Sequence, residues 1–166
     1  MPAPLTGFLS DVGFRTQEGV LDAWTWRRGA AFLAVVLVFL TALWRLVEPY
    51  AYRVMTPTTP LFDWRVFAAY VYLVFYALAV LLIGISLYNI SAKRLRARGL
   101  PTGLAGLVPL ATLFWGAARW LQPRVAEQMS PWWVTGCAAL LVGAVVWTAL
   151  ELGFREPRGL RDRGPA

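Results

Sequence analysis

Lys93, Arg94, Arg96 and Arg98 put four cations into six residues, the densest run of positive charge in the chain. What such a cluster can do is bind anionic oxygen. Beside a bilayer, each cation gains about 1 kcal/mol from anionic headgroups. These four residues are therefore the expected docking point for lipid headgroups or an acidic partner. The competing reading is that they only orient the flanking helices.

Most other chemistry is missing. The sequence has no histidine and one cysteine, Cys137, inside an apolar run. No Ser–His or Cys–His pair exists for nucleophilic catalysis. Haem lacks its usual imidazole ligand, and a thiolate zinc site cannot be built by this chain alone. Glu48, Asp63, Glu127 and Glu151 stand at the ends of apolar runs, opposite Arg45, Arg65, Arg124 and Arg155. None lies at mid-membrane, where ion-coupled carriers place an acid. The expectation is a protein that is not an enzyme, with no cofactor and no metal.

The elements that hold these residues are four apolar runs in a chain of 166 residues that is 58% hydrophobic. A hydrocarbon core of about 30 Å takes roughly 20 helical residues to cross. The runs predict an all-α integral membrane fold with four transmembrane helices, at about 29–47, 65–90, 101–121 and 131–153. Residues 1–28 precede them as a cytoplasmic, interfacial N-terminal segment, in which Leu5, Phe8, Leu9 and Val12 follow helical spacing. Residues 154–166 form a basic cytoplasmic tail. With no Lys or Arg before Arg15, the start of the chain is not expected to be an export signal.

Net charge is +7. In a soluble protein that balance would suggest nucleic acid, but here the arginines sit at span ends and no nucleic acid is expected. Four spans place both termini on one side. Eleven of the sixteen basic residues fall on that side, in the N-terminal segment, the 93–98 stretch and the tail, which marks it as cytoplasmic. Trp24 and Trp26 are expected at that interface, and Trp44, Trp64, Trp120, Trp132 and Trp133 at the other.

Three internal features remain. Thr135, Ala139 and Gly143 recur every four residues along the last span, a pattern that lets helix backbones approach closely. They are expected to pack either against a partner protein or within the chain. In the second span Tyr72 and Tyr76 share a face with Phe67, Tyr70 and Phe75 nearby. Helix packing or lipid contact is the expectation there, with a quinone or pigment contact the functional alternative. Pro109 is expected to kink the third span or free a carbonyl near Ala105.

The stretch from Ser91 to Gly103 reads as a short basic connection, and it resembles a bacterial inner-membrane family of unknown function (domain of unknown function 805). That family carries approximately Arg-Arg-Leu-His-Asp, one residue, then Gly, with Ser or Pro close behind. Lys93, Arg94, Leu95, Gly99 and Pro101 match in order and spacing, and Arg96-Ala97 stand in place of His-Asp. The Trp26-Arg27-Arg28-Gly29 segment is similar to the family's basic N-terminal stretch. The resemblance implies a four-span protein of the bacterial cytoplasmic membrane and carries no activity. The expected function is an accessory, structural or assembly subunit of a larger membrane complex, an energy-transducing one among the candidates, with anionic lipids and other membrane subunits as partners. The alternatives are an oligomeric channel or facilitator, or an anionic-lipid-binding protein.

Overall fold

The computed structural model describes residues 20–51, 62–125, 127 and 130–155. Residues 1–19 of the interfacial segment expected over 1–28, residues 52–61 and residues 156–166 of the expected tail lie outside the described residues. Four helices are long and apolar enough to cross a membrane, and no strand occurs among the described residues. Helix α1 is Ala23–Ala51 and α2 is Trp64–Ala97. A short 3-10 turn, Thr102–Gly106, runs directly into α3, Leu107–Leu121. Helix α4 is Trp132–Thr148 and continues in a wider π turn over Ala149–Phe154. The chain divides into two compact units, one of residues 31–83 and one of residues 1–30 with 84–166.

Asp22 starts α1. Its carboxylate accepts from the backbone N–H groups of Trp24 (3.2 Å) and Thr25 (3.3 Å), satisfying donors that the first turn leaves without partners. The bond with the Thr25 side chain, chiefly, holds the Asp22 carboxyl below its ordinary value. A depressed carboxyl stabilises the fold above its unfolded pKa, and that contribution disappears as pH falls through the folded value. The Asp22→Ala variant is therefore expected to fray the start of α1 at neutral pH, costing about 1 kcal/mol. The difference from wild type should vanish below the ordinary carboxylate range. Hydrogen exchange at the Trp24 and Thr25 amides, followed against pH, checks this.

Helix α2 does not stop where the apolar run ends. Its 34 residues span about 51 Å at 1.5 Å per residue, well beyond a hydrocarbon core of about 30 Å. The stretch Ser91–Ala97, which reads as a connection, forms its last two turns. Lys, Arg, Leu and Ala all favour helix, and nothing in that stretch breaks the ladder. Arg94 and Arg96 lie in the last turn, where cations meet the negative end of the helix dipole. Termination comes at Gly99, whose φ of 67° is left-handed. The Gly99 N–H bonds the Arg96 carbonyl and the Leu100 N–H bonds the Leu95 carbonyl, both at 3.0 Å. That double closure is a Schellman motif, followed by Pro101. Gly99→Ala is expected to cost about 1–2 kcal/mol from the left-handed backbone alone, since a Cβ there meets nothing within 4 Å. A fall in the thermal midpoint with an unchanged helical circular dichroism spectrum checks it.

Pro109 follows a change of helical winding. It stands in the first turn of α3, just after the 3-10 turn Thr102–Gly106. A proline ring clashes with the carbonyl four residues back in an α-helix, here that of Ala105. The tighter winding before it removes that conflict.

In the unit of residues 31–83, α1 meets α2 through aromatic rings. Trp44 stacks near-parallel to Tyr72 and Tyr76, with centroids 6.3 and 6.2 Å away. The Tyr72 hydroxyl donates to the Leu40 carbonyl at 2.6 Å, and Tyr76 shares a 3.0 Å bond with the Thr41 hydroxyl. Trp44 therefore packs between helices, while Phe67 and Phe75 remain exposed.

In the other unit α3 packs along α4. The covered side of α4 is Val134, Cys137, Ala138, Leu141, Ala144, Trp147 and Thr148, a helical stripe of half-buried and buried positions. Large apolar side chains elsewhere face outward, from Leu113 and Phe114 to Leu140 and Val142. Exposed apolar area on that scale belongs in lipid, not water.

Candidate functional site

Deep burial concentrates at one place, where the start of α1, the end of α2 and the end of α4 converge. Ile90, Ser91, Arg94, Leu95 and Leu152 are all at most 1% exposed. Trp26, from the first turn of α1, donates its indole N–H to the Ser91 hydroxyl at 3.2 Å. Trp24 precedes it by two residues, about 200° around the helix, and is 59% exposed. Of the pair expected at the interface, Trp24 faces outward and Trp26 is a buried contact. Glycines allow the close approach: a Cβ on Gly153 would stand 3.3 Å from the Trp26 ring, and one on Gly29 3.4 Å from Ile90.

Two guanidinium groups sit within this core. Arg94 donates Nε to the Leu152 carbonyl (3.1 Å), Nη1 to the Leu21 carbonyl (3.3 Å) and Nη2 to the Arg155 carbonyl (2.8 Å). One side chain of α2 thus ties together the residues before α1 and the end of α4. Arg98, one turn on, pairs with the Glu151 carboxylate at 2.8 Å and also donates to the Glu151 backbone carbonyl. The second carboxylate oxygen accepts from Arg155 at 2.6 Å. The Arg98 Nε is buried without a hydrogen-bond partner among the described residues.

The local cause is the end of α4. The last carbonyls of any helix lack intrahelical donors. Here the helix widens into a π turn with Glu151, Leu152 and Gly153 buried, where water cannot serve those carbonyls. Arg94 and Arg98 supply the donors, and their charge suits the negative end of the α4 dipole. Arg94 lies in the last turn of α2 and Arg98 four residues on, just past its end, so both reach the same side. Lys93 and Arg96 point elsewhere on the helix; Lys93 is buried, Arg96 half-buried, and both engage neighbours. Of the four cations clustered in the sequence, the structure brings Arg94 and Arg98 to a common site. Glu151 was legible only as a partner of Arg155, four residues away. Its contact with Arg98 joins residues 53 apart, and no local spacing signals it. Chemically, the site is a clamp whose carboxylate and guanidinium groups face protein acceptors and donors.

The small-residue face behaves differently. Thr135, Gly136, Ala139 and Gly143 are exposed, on the side of α4 away from the covered stripe. A Cβ added at Gly136 or Gly143 would meet nothing within 4 Å. No packing within the described residues uses this face. Among the described residues, no three His, Cys, Asp or Glu side chains gather as a metal site would require.

Fold and site together define an all-α protein with four helices long and apolar enough to cross a membrane, the make-up of a multi-pass membrane protein. Comparison with protein-family models, with curated proteins and with solved structures gives no match.

Proposed function

We propose that this protein is a non-catalytic accessory, structural or assembly subunit of a larger membrane-protein complex. The observation that carries the reading is the open face of Thr135, Gly136, Ala139 and Gly143. Between transmembrane helices, small residues at this spacing permit the backbone approach from which packing energy comes. Since none of the described residues packs there, a helix of another subunit is the natural occupant. The setting we infer is the bacterial cytoplasmic membrane with both termini inside. The arginine distribution and the likeness of Lys93–Pro101 to the bacterial inner-membrane family support that setting.

The test is gentle solubilisation of native membranes followed by sizing of the tagged full chain. A particle larger than one micelle-bound copy, carrying a stoichiometric second protein, is expected. Gly143→Leu should release that protein by filling the open face, whereas Ala117→Leu, on an exposed part of α3, should not. Single-copy particles from native membranes, with no second protein, would exclude the subunit reading.

A further inference from the structure

Arg27 and Arg28 lie beside the buried clamp but are wired differently. Both are exposed, and among the described residues neither has a carboxylate or carbonyl partner. Their contacts are with ring faces. The Arg27 guanidinium stands 5.4 Å from the Trp24 ring centroid and 5.8 Å from that of Phe154; Arg28 stands 5.9 Å from Trp24. The Arg27 stem runs beside Gly153, where a Cβ would come within 3.7 Å of its Cγ. A side chain there would push the stem away from the rings.

A guanidinium held against ring faces, with no acceptor among the described residues, keeps its N–H fork open. Two such forks, both borne against the Trp24 ring, suit the oxygens of a phosphate, which arginine grips in bidentate fashion. The surroundings identify the source of the phosphate. Trp24 and Phe154, which the cations contact, are 59% and 71% exposed, so the cations stand against outward-facing apolar rings. They stand at the end of membrane-spanning helices, the depth at which tryptophan marks the headgroup layer. The Asp22 carboxylate accepts from the α1 amides and pairs with neither arginine.

We infer that Arg27 and Arg28, clamped on Trp24 and Phe154, form a binding site for the phosphate of an anionic glycerophospholipid. The site is separate from the Lys93–Arg98 cluster and independent of the subunit reading. A chain that acts alone can hold a lipid here, and a complex subunit can lack one.

The full chain in phosphatidylcholine nanodiscs containing one-fifth phosphatidylglycerol, with lipid retention read by native mass spectrometry, tests this. At about the gain expected for one cation at a membrane surface, each arginine contributes roughly fivefold and the pair about thirtyfold. Arg27→Gln with Arg28→Gln should therefore lose retained phosphatidylglycerol by about that factor. Arg27→Lys with Arg28→Lys keeps the charge that orients α1 but loses the fork, and should fall between. Arg124→Gln, whose Nη1 already donates to the Trp120 carbonyl, should retain lipid as wild type does. Equal retention by the double Gln variant overturns the inference. So does wild-type retention by the double Lys variant, which would reduce the pair to a topological signal. Displacement of the lipid by millimolar inorganic phosphate would show a free-anion site and also overturn it.

Discussion

Arg94→Leu is expected to lower the thermal midpoint of the detergent-solubilised protein by roughly 6–12 °C, the shift that about 3 kcal/mol produces in a chain of this size. Two effects oppose each other. Removing the guanidinium abolishes the cost of burying a charge, which can make such a replacement neutral or favourable. It also strips donors from the carbonyls of Leu21, Leu152 and Arg155. The buried Leu152 carbonyl left without a donor costs about 1–3 kcal/mol, and the part-buried Leu21 and Arg155 carbonyls add smaller losses, which together outweigh the charge term. Leucine cannot repay this by packing, because the site is lined by backbone oxygens. Arg94→Lys keeps the charge at the end of α4 with a compact ammonium that lacks the planar fork, and should recover part of the loss. A midpoint for Arg94→Leu equal to wild type would mean that water serves those carbonyls and that Arg94 is not the tie between α2 and α4.

Glu151→Gln should come next, at about 3 kcal/mol, because it leaves Arg98 buried without its counter-charge. The Arg98 side chain is only 3% exposed and Glu151 11%, so solvent screens this pair little. Arg155, bonded to the same carboxylate, is 68% exposed. Its removal should cost under about 1 kcal/mol, as for other solvent-exposed ion pairs. The decisive measurement is a double-mutant cycle. Arg98→Met combined with Glu151→Leu removes both charges and should be markedly less damaging than the sum of the single losses. Strict additivity would show that the two side chains do not act as a pair.

These two variants bear on how the chain holds together in a solvent that offers little hydrophobic drive. Lipid tails are as apolar as leucine, so helices in a bilayer are joined by packing and by polar contacts. In the unit of residues 31–83 the polar contacts are tyrosine hydroxyls on Leu40 and Thr41. In the other unit they are guanidinium groups on the end of α4. The same arginines that bias topology in the sequence are, in the structure, structural donors.

The four spans were legible because their signal is local: about twenty apolar residues bounded by charge suffice. The positions of Pro109, Gly99 and Pro101 were equally plain, but their effects were not. Pro109 read as a kink or as freeing a carbonyl near Ala105, and the structure puts it just after a change from 3-10 to α winding. Gly99 and Pro101 read as the opening of the third span, whereas Gly99 closes the second through its left-handed backbone. That difference matters for the candidate site. A loop over 91–98 would scatter four cations at a membrane surface. A helix to Ala97 and a tight cap at Arg98 sort them, turning Arg94 and Arg98 to one face. Trp26 shows the same limit: it has the composition of an interface tryptophan, and helical phase puts it opposite Trp24.

What the amino-acid order determined by itself was therefore everything set by hydropathy and charge along one dimension: an all-α chain, four apolar helices, a lopsided arginine distribution and the missing histidines. Whether a given arginine faces lipid, water or protein was decided by tertiary structure alone. The acceptors that claim Arg94 and Arg98 are backbone carbonyls more than fifty residues away, and every residue carries a carbonyl. For the Glu151 and Leu152 oxygens it is the burial of the π turn, away from water, that makes them need a donor.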